Sequence, residues 1–171
     1  MRRDYEERAL DFIEQIYPFI RNCKDRFDYS VAVYRFNEEF HRHVICSYGS
    51  TRIAMITSDY VVKVDYNGWG KGTFGTSADE VRMYRQAKKD GFAHLFAKII
   101  PIRHGYDRTF YIMPRIKGIG RTKYDADNYL NGEEYTYISR HVGDLHCKNY
   151  GWQEGHIVMI DYAYNSTMWN S

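Results

Sequence analysis

The sequence predicts an α+β fold whose strands run antiparallel. Three observations predict it. The chain opens on an amphipathic helical stretch, continues through short β-rich runs separated by tight turns, and ends on a two-residue hairpin. Its 171 residues suit one domain or one with a small extension, enough to remove about 70% of the unfolded surface from water. Hydrophobic residues make up 44% and charged residues 27%, so the chain is globular.

Residues 4 to 24 read as a helix with Leu10, Ile13, Tyr17 and Ile20 on its inward stripe, kinked or divided at Pro18. Residues 30 to 41 fit either state, because VAVYRF also suits a strand. A helix capped by Ser30, with Val33, Phe36 and Phe40 facing inward, is the preferred reading. Residues 43 to 66 form a hairpin or meander that turns at Thr57-Ser58-Asp59. Lys63 stands inside the apolar run VVKV, on the face of Val61 and Asp65.

The helix from 78 to about 90 opens with Ser77 and Glu80, a capping box by spacing. Glu80, Tyr84 and Ala87 also recur as an inward stripe. Residues 94 to 102 and 108 to 114 read as paired strands around Gly105-Tyr106-Asp107, and a short helix from 132 to 142 places Tyr135, Ile138 and Val142 on one face. Glu154-Gly155 then separates two strands. Antiparallel pairing across that turn sets Gln153 opposite His156, Trp152 opposite Ile157, Gly151 opposite Val158, Tyr150 opposite Met159 and Asn149 opposite Ile160. Asp161 lands beside the level of Asn149, so two hard oxygen ligands stand at one end of the hairpin, as Mg²⁺ requires.

Several readings are excluded. A net charge of +2 argues for no nucleic acid by itself. A basic face would have to come from Arg2, Arg3, Arg103, Arg108, Arg115, Lys117, Arg121 and Lys123. Cys23, Cys46 and Cys147 are odd in number and widely spaced, which points to a reducing cytoplasm. MRRDYEERAL has no apolar run behind its charges, so no signal peptide is expected, and no run reaches the ~20 apolar residues of a membrane span. His41, His43 and Cys46 lack a second pair of zinc ligands. Gly70, Gly72 and Gly75 spell GxGxxG, but not at a strand end, and no acid for a ribose follows. These glycines read as a flexible connection that could fold over a ligand.

Asp144 and Asn149 five residues later, within GDLHCKN, followed by Asp161 in IDYA, resemble the protein-kinase-like phosphotransferases. GDLHCKN is closer to the HGDLHPGN of aminoglycoside phosphotransferases than to HRDLKPEN. GSTRIAM…VVKV…E is similar to small kinase-like proteins encoded by bacteriophages.

The resemblance implies a minimal protein-kinase-like fold with an antiparallel N-lobe sheet and a truncated C-lobe. Residues 1–42 would be an N-terminal helical extension, 43–114 the N-lobe, about 113–118 the hinge and 119–171 the C-lobe. It implies ATP and Mg²⁺ as cofactors. Gly49, Ser50 and Thr51 would cover the phosphates, and Lys63, oriented by Glu80, would anchor them. Met113 and Arg115 would lie at the adenine, Asn149 and Asp161 would hold the metal, and Asp144 would receive the acceptor proton. His146 occupies the place where protein kinases have Lys.

Only YAYNSTMWNS follows Asp161, so the acceptor half looks shortened. The implied activity is phosphorylation of a hydroxyl group, on a protein substrate or docking partner of host or phage, in the host cytoplasm. The alternatives are an inactive nucleotide-binding or interaction module and a small-molecule kinase. No nucleic acid and no membrane are expected as partners, and a homo-oligomer is allowed.

Overall fold

A computed structural model of the chain describes residues 2–66, 75–103, 105–118, 127–143, 145 and 147–170. Helix α1, Arg2–Ile20, buries Ala9, Phe12, Ile13, Ile16 and Ile20. The inward stripe is thus turned from the expected one. Leu10 is exposed, and Tyr17 sits at the rim, where its hydroxyl donates to Asp107 Oδ1 at 3.0 Å. Pro18 does not divide the helix. It lies in the last turn, where its missing N–H removes one ladder bond and only Phe19 and Ile20 follow before the helix ends.

Helix α2, Arg26–Phe40, starts earlier than expected. Asp25 rather than Ser30 is its cap, accepting from the Phe27 and Asp28 amides at 2.9 and 3.0 Å. Tyr29, Ala32, Val33 and Phe36 face inward. Phe40 is partly exposed and stacks on Phe36 with ring centroids 4.9 Å apart.

The chain divides into two compact units. The first holds α1, α2 and a five-stranded antiparallel sheet of β1 (Ile45–Tyr48), β2 (Arg52–Ile56), β3 (Tyr60–Asp65), β4 (Ile100–Ile102) and β5 (Phe110–Pro114), in the order β1-β2-β3-β5-β4. Alternation turns Ile53, Met55, Val62, Val64, Phe110 and Ile112 toward α1 and α2, and these form one core. Arg108, a candidate for a basic face, is instead an interior residue of this unit.

The second unit holds α3 (Ser77–Asp90), α4 (Gly132–His141) and a small sheet of β6 (Lys117–Gly118), β7 (Tyr150–Gln153) and β8 (His156–Met159). The strand expected over 94–102 is cut short. Ala93–Leu95 forms a 3-10 turn, and the Ala97 amide donates to Met159 O at 2.8 Å, which ties this stretch to β8. On α4 the inward aromatic is Tyr137; Tyr135 is exposed.

The β7–β8 register is Tyr150↔Met159, Gly151↔Val158, Trp152↔Ile157 and Gln153↔His156, as read from the turn. Glu154 and Gly155 both adopt positive φ, 51° and 80°, the conformation that matches the twist of a two-residue hairpin. Gly151 is needed for another reason. A Cβ there would stand 2.5 Å from Ile116 Cγ2 and 2.7 Å from Lys117 O, where β6 crosses β7. Gly151→Ala is expected to cost about 1–3 kcal/mol by overpacking. Urea unfolding checks this, and an unchanged midpoint would show that β6 moves aside freely.

The architecture is α+β with an antiparallel N-terminal sheet. No helix among the described residues is long and apolar enough to cross a membrane.

Candidate functional site

In the second unit, Cys147–Asn149 forms a 3-10 turn that delivers the chain into β7. The Ile160 amide donates to Asn149 O at 2.7 Å, extending the hairpin by one level. Asp161 follows directly and is exposed, while Asn149 is half-buried. The hairpin therefore brings Asn149 and Asp161 to one end, as the register predicts.

The segment after Asp161 is fixed by contacts that sequence reasoning missed. Tyr162 is 1% exposed, its hydroxyl donates to Ala97 O at 2.6 Å, and its amide donates to Glu80 Oε1 at 3.2 Å. Asn165 is 3% exposed. Its Nδ2 donates to Tyr162 O, Ala163 O and Asp79 O at 2.7, 3.1 and 3.1 Å, and its Oδ1 accepts from the Thr167 amide at 3.0 Å. The last contact is an Asx turn, for which Asn-Ser-Thr is a recognisable local signal. The long-range contacts leave no such signal.

Glu80 is fully buried on α3. The cap of α3 is Thr76 with Asp79, not Ser77 with Glu80: the Asp79 carboxylate accepts from the Thr76 amide at 2.8 Å and also pairs with Arg82. The one-residue shift releases Glu80 from capping and turns it to the Tyr162 amide.

Helix α4 leads toward the loop before Asn149 and is firmly set. Asn131 and Glu134 form its capping box, and His94 bonds Glu134 at 2.9 Å. Burial alone would raise the Glu134 carboxyl, but the Asn131 amide and His94 hold it below the usual range. The Tyr137 hydroxyl donates to Asp90 at 2.7 Å, and His141 Nδ1 meets Ser166 Oγ at 2.7 Å.

In the first unit, Lys63 lies on β3, a central strand flanked by β2 and β5. Ala54 and Tyr111 are its cross-strand neighbours, on the sheet face away from α1 and α2, and it is buried. Lys63 is thus not a solvent-facing side chain of an edge strand. Gly49–Thr51 forms the β1–β2 turn. The Gly49 amide donates to Arg52 O at 2.8 Å, and Thr51 O accepts from the Tyr66 amide at 3.0 Å. Gly49 and Ser50 are exposed and Thr51 is buried.

Met113 pairs with Val61 at the opposite end of β3 and is buried. The Arg115 amide donates to Asp59 O at 2.9 Å, and its guanidinium to Thr57 O at 2.6 Å. Along β3 the order is thus Met113 and Arg115 at the start, Lys63 in the middle and the Gly49–Thr51 turn at the end.

Asp144 and His146 lie outside the described residues, as do Gly70 and Gly72; Gly75 is described. Among the described residues no cluster of three or more His, Cys, Asp or Glu gathers for a metal. An Asn–Asp pair is a smaller donor set, and it fits Mg²⁺, which binds few protein oxygens and keeps waters and phosphate oxygens.

No family model and no curated protein matches the chain. Among solved structures it is similar to the Legionella pneumophila Lpg2603 kinase bound to IP6, with 14% identity and a TM-score of 0.45, over 71% of this chain and 47% of that one. It is also similar to WbdD, with 15% identity and a TM-score of 0.40, over 74% of this chain and 33% of that one. A second structure, of the bifunctional kinase-methyltransferase WbdD, gives 17% identity and a TM-score of 0.37, over 68% and 30%. The chain spans less than half the length of each.

Proposed function

We propose that the chain is an ATP- and Mg²⁺-dependent phosphotransferase that moves a phosphoryl group onto a hydroxyl group, on a protein in preference to a small molecule. The observation that carries this reading is the hairpin end. The bond from Ile160 to Asn149 levels two oxygen-bearing residues, and the Asp161 backbone continues directly into a segment clamped by Glu80, Ala97 and Asn165. A metal ligand needs that fixity, because a ligand left to wander holds its ion loosely. The preference for a protein acceptor rests on the resemblance to phage kinase-like proteins.

Mg²⁺, when bound, neutralises phosphate charge and steadies the phosphoryl group in transfer. Asn149 and Asp161 would hold it through their side-chain oxygens. Lys63 would anchor the nucleotide phosphates, with Glu80 orienting it. The order along β3 suits a nucleotide with its base toward Met113 and Arg115 and its phosphates toward Gly49, Ser50 and Thr51. Asp144 would take the proton of the acceptor hydroxyl, a contribution usually worth about 10²–10⁴-fold.

The test is purified protein with γ-labelled ATP and Mg²⁺, with and without a bacterial lysate, beside calorimetry of nucleotide binding. Label should pass to the protein or to a lysate protein, and Asp161→Ala should abolish it. Glu80→Gln keeps an oxygen for the Tyr162 amide but loses the charge, so it should remain folded and transfer about 10²-fold more slowly. Binding of Mg·ATP without transfer would leave a nucleotide-binding module, and neither binding nor transfer would overturn the reading.

A further inference from the structure

Helix α2 carries apolar residues on two faces, and among the described residues only one of them is covered. Tyr29, Ala32, Val33 and Phe36 fill the core. Phe27, Val31 and Tyr34, at i, i+4 and i+7, form a second stripe on the outside. Phe27 is 72% and Tyr34 64% exposed, unusual for two aromatic rings one above the other on a helix. A groove of about 920 Å³ runs beside the stripe, between α2 and the end of α1 at Phe19 and Asn22.

The charges beside the stripe say what fits it. Asp28 and Arg35 lie seven residues apart, two helical turns, on the groove side of the stripe. A second copy laid antiparallel, about a two-fold axis level with the space between Val31 and Ala32, sets each Asp28 opposite the other copy's Arg35. Phe27 then enters between Tyr34 and Glu38 of the facing helix, and Tyr34 enters between Phe27 and Val31. A parallel arrangement would turn the flank that carries Asp28 and Arg35 toward the opposite flank of the facing helix, so the two residues would not meet. The two Asp28–Arg35 pairs thus favour the antiparallel arrangement, while Glu38 and Glu39, which also line the groove, come level with Asp25 and Lys24 of the facing helix.

We propose that α2 is a self-association surface, through which two copies of this chain form a reversible antiparallel dimer. One helix face per subunit buries less than a standard interface, so the dimer dissociates on dilution. This inference is independent of phosphoryl transfer.

Sedimentation over a roughly hundredfold concentration range reaching about 100 µM tests it. The wild-type chain should pass from monomer to dimer. Val31→Glu should stay monomeric, and Arg35→Glu should weaken association at least about 10-fold. Asp28→Lys should do the same alone. An equal mixture of the Arg35→Glu and Asp28→Lys chains should associate again, because one native and one reversed charge pair then face each other. Circular dichroism confirms that each variant keeps its helices. A wild-type chain that is monomeric throughout, a dimer indifferent to these substitutions, or a folded mixture that stays monomeric would overturn the proposal. A monomer that instead takes up an unrelated apolar helical peptide on this face would also overturn it.

Discussion

Arg108→Met is expected to lower the unfolding free energy by about 3–5 kcal/mol, the usual cost of removing one partner from a buried charged network. Arg108 is 7% exposed, just before β5. Its Nη1 donates to the Tyr29 hydroxyl at 2.6 Å and to Ile20 O at 3.3 Å, and its Nη2 donates to Arg21 O. Ile20 ends α1 and Arg21 follows it, where carbonyls lack a partner in the helix ladder and the helix dipole is negative. One guanidinium thus caps α1, satisfies Tyr29 of α2 and anchors the turn before β5. Methionine fills similar space but supplies no donor, so the Tyr29 hydroxyl and Arg21 O lose the guanidinium, while Ile20 O keeps the Cys23 amide at 3.0 Å.

Asp107 also bonds the guanidinium, at 3.0 Å, and that bond holds its carboxyl below the usual range, but its side chain is 55% exposed. Asp107→Asn should therefore cost less than about 1 kcal/mol. Arg108→Lys should fall between, because an ammonium cannot reproduce the planar fork. Urea unfolding ranks the three variants. A loss below about 1 kcal/mol for Arg108→Met would show that water replaces the guanidinium without penalty. Burial pushes Tyr29 up to about 12 despite the opposing guanidinium. Its folded value lies above its unfolded one, so its share of stability is full below the unfolded value of about 10 and is lost as pH rises toward 12.

What could be read in the sequence follows the range of the forces involved. The β7–β8 register was legible to the residue, because Glu154-Gly155 admits two consecutive positive φ values and the turn length then fixes every pair. The class of α1, α3 and α4 was legible from period 3.6, but their inward faces and caps slipped. Leu10 for Ala9, Ser77 for Thr76 and Tyr135 for Tyr137 are shifts of one or two residues between side chains of similar local preference. Tertiary packing decides among them.

Asp25 wins the cap of α2 over Ser30 because its carboxylate accepts two first-turn amides at once. Arg108, Tyr162 and Asn165 were not legible as organising residues. Their partners lie 65 to 88 positions away in the contacts that matter most, and no local pattern marks them. The candidate site divides the same way. Asn149 and Asp161 come together through local hairpin geometry, whereas the tie from Glu80 to Tyr162 spans 82 positions.

Asn165→Leu is expected to cost about 3–5 kcal/mol and to loosen the chain next to Asp161. The native amide donates to three carbonyls and accepts from the Thr167 amide and hydroxyl, all in a site 3% exposed. Leucine matches its shape but leaves the oxygens of Asp79, Tyr162 and Ala163 short of a donor, each unmet group costing about 1–3 kcal/mol in a non-additive sum. The damage should not stop at stability. Tyr162 would lose one of its ties, so the proposed Mg²⁺-dependent nucleotide binding should weaken even where the variant remains folded.

Asn165→Asp separates geometry from shape. The oxygen that replaces Nδ2 faces three carbonyls without a donor in a buried site, which outweighs the Thr167 donors to the other oxygen, disfavours ionisation and raises the folded pKa above the unfolded value. A raised carboxyl contributes full stability at low pH and loses it as pH rises, so the deficit of this variant should shrink toward about pH 4, where one O–H donor returns. Thermal unfolding of the wild type and both variants at pH 4 to 8 reads this out. A deficit that stays constant with pH, or is absent in Asn165→Leu, would mean that the segment after Asp161 is held by Tyr162 and its packing alone.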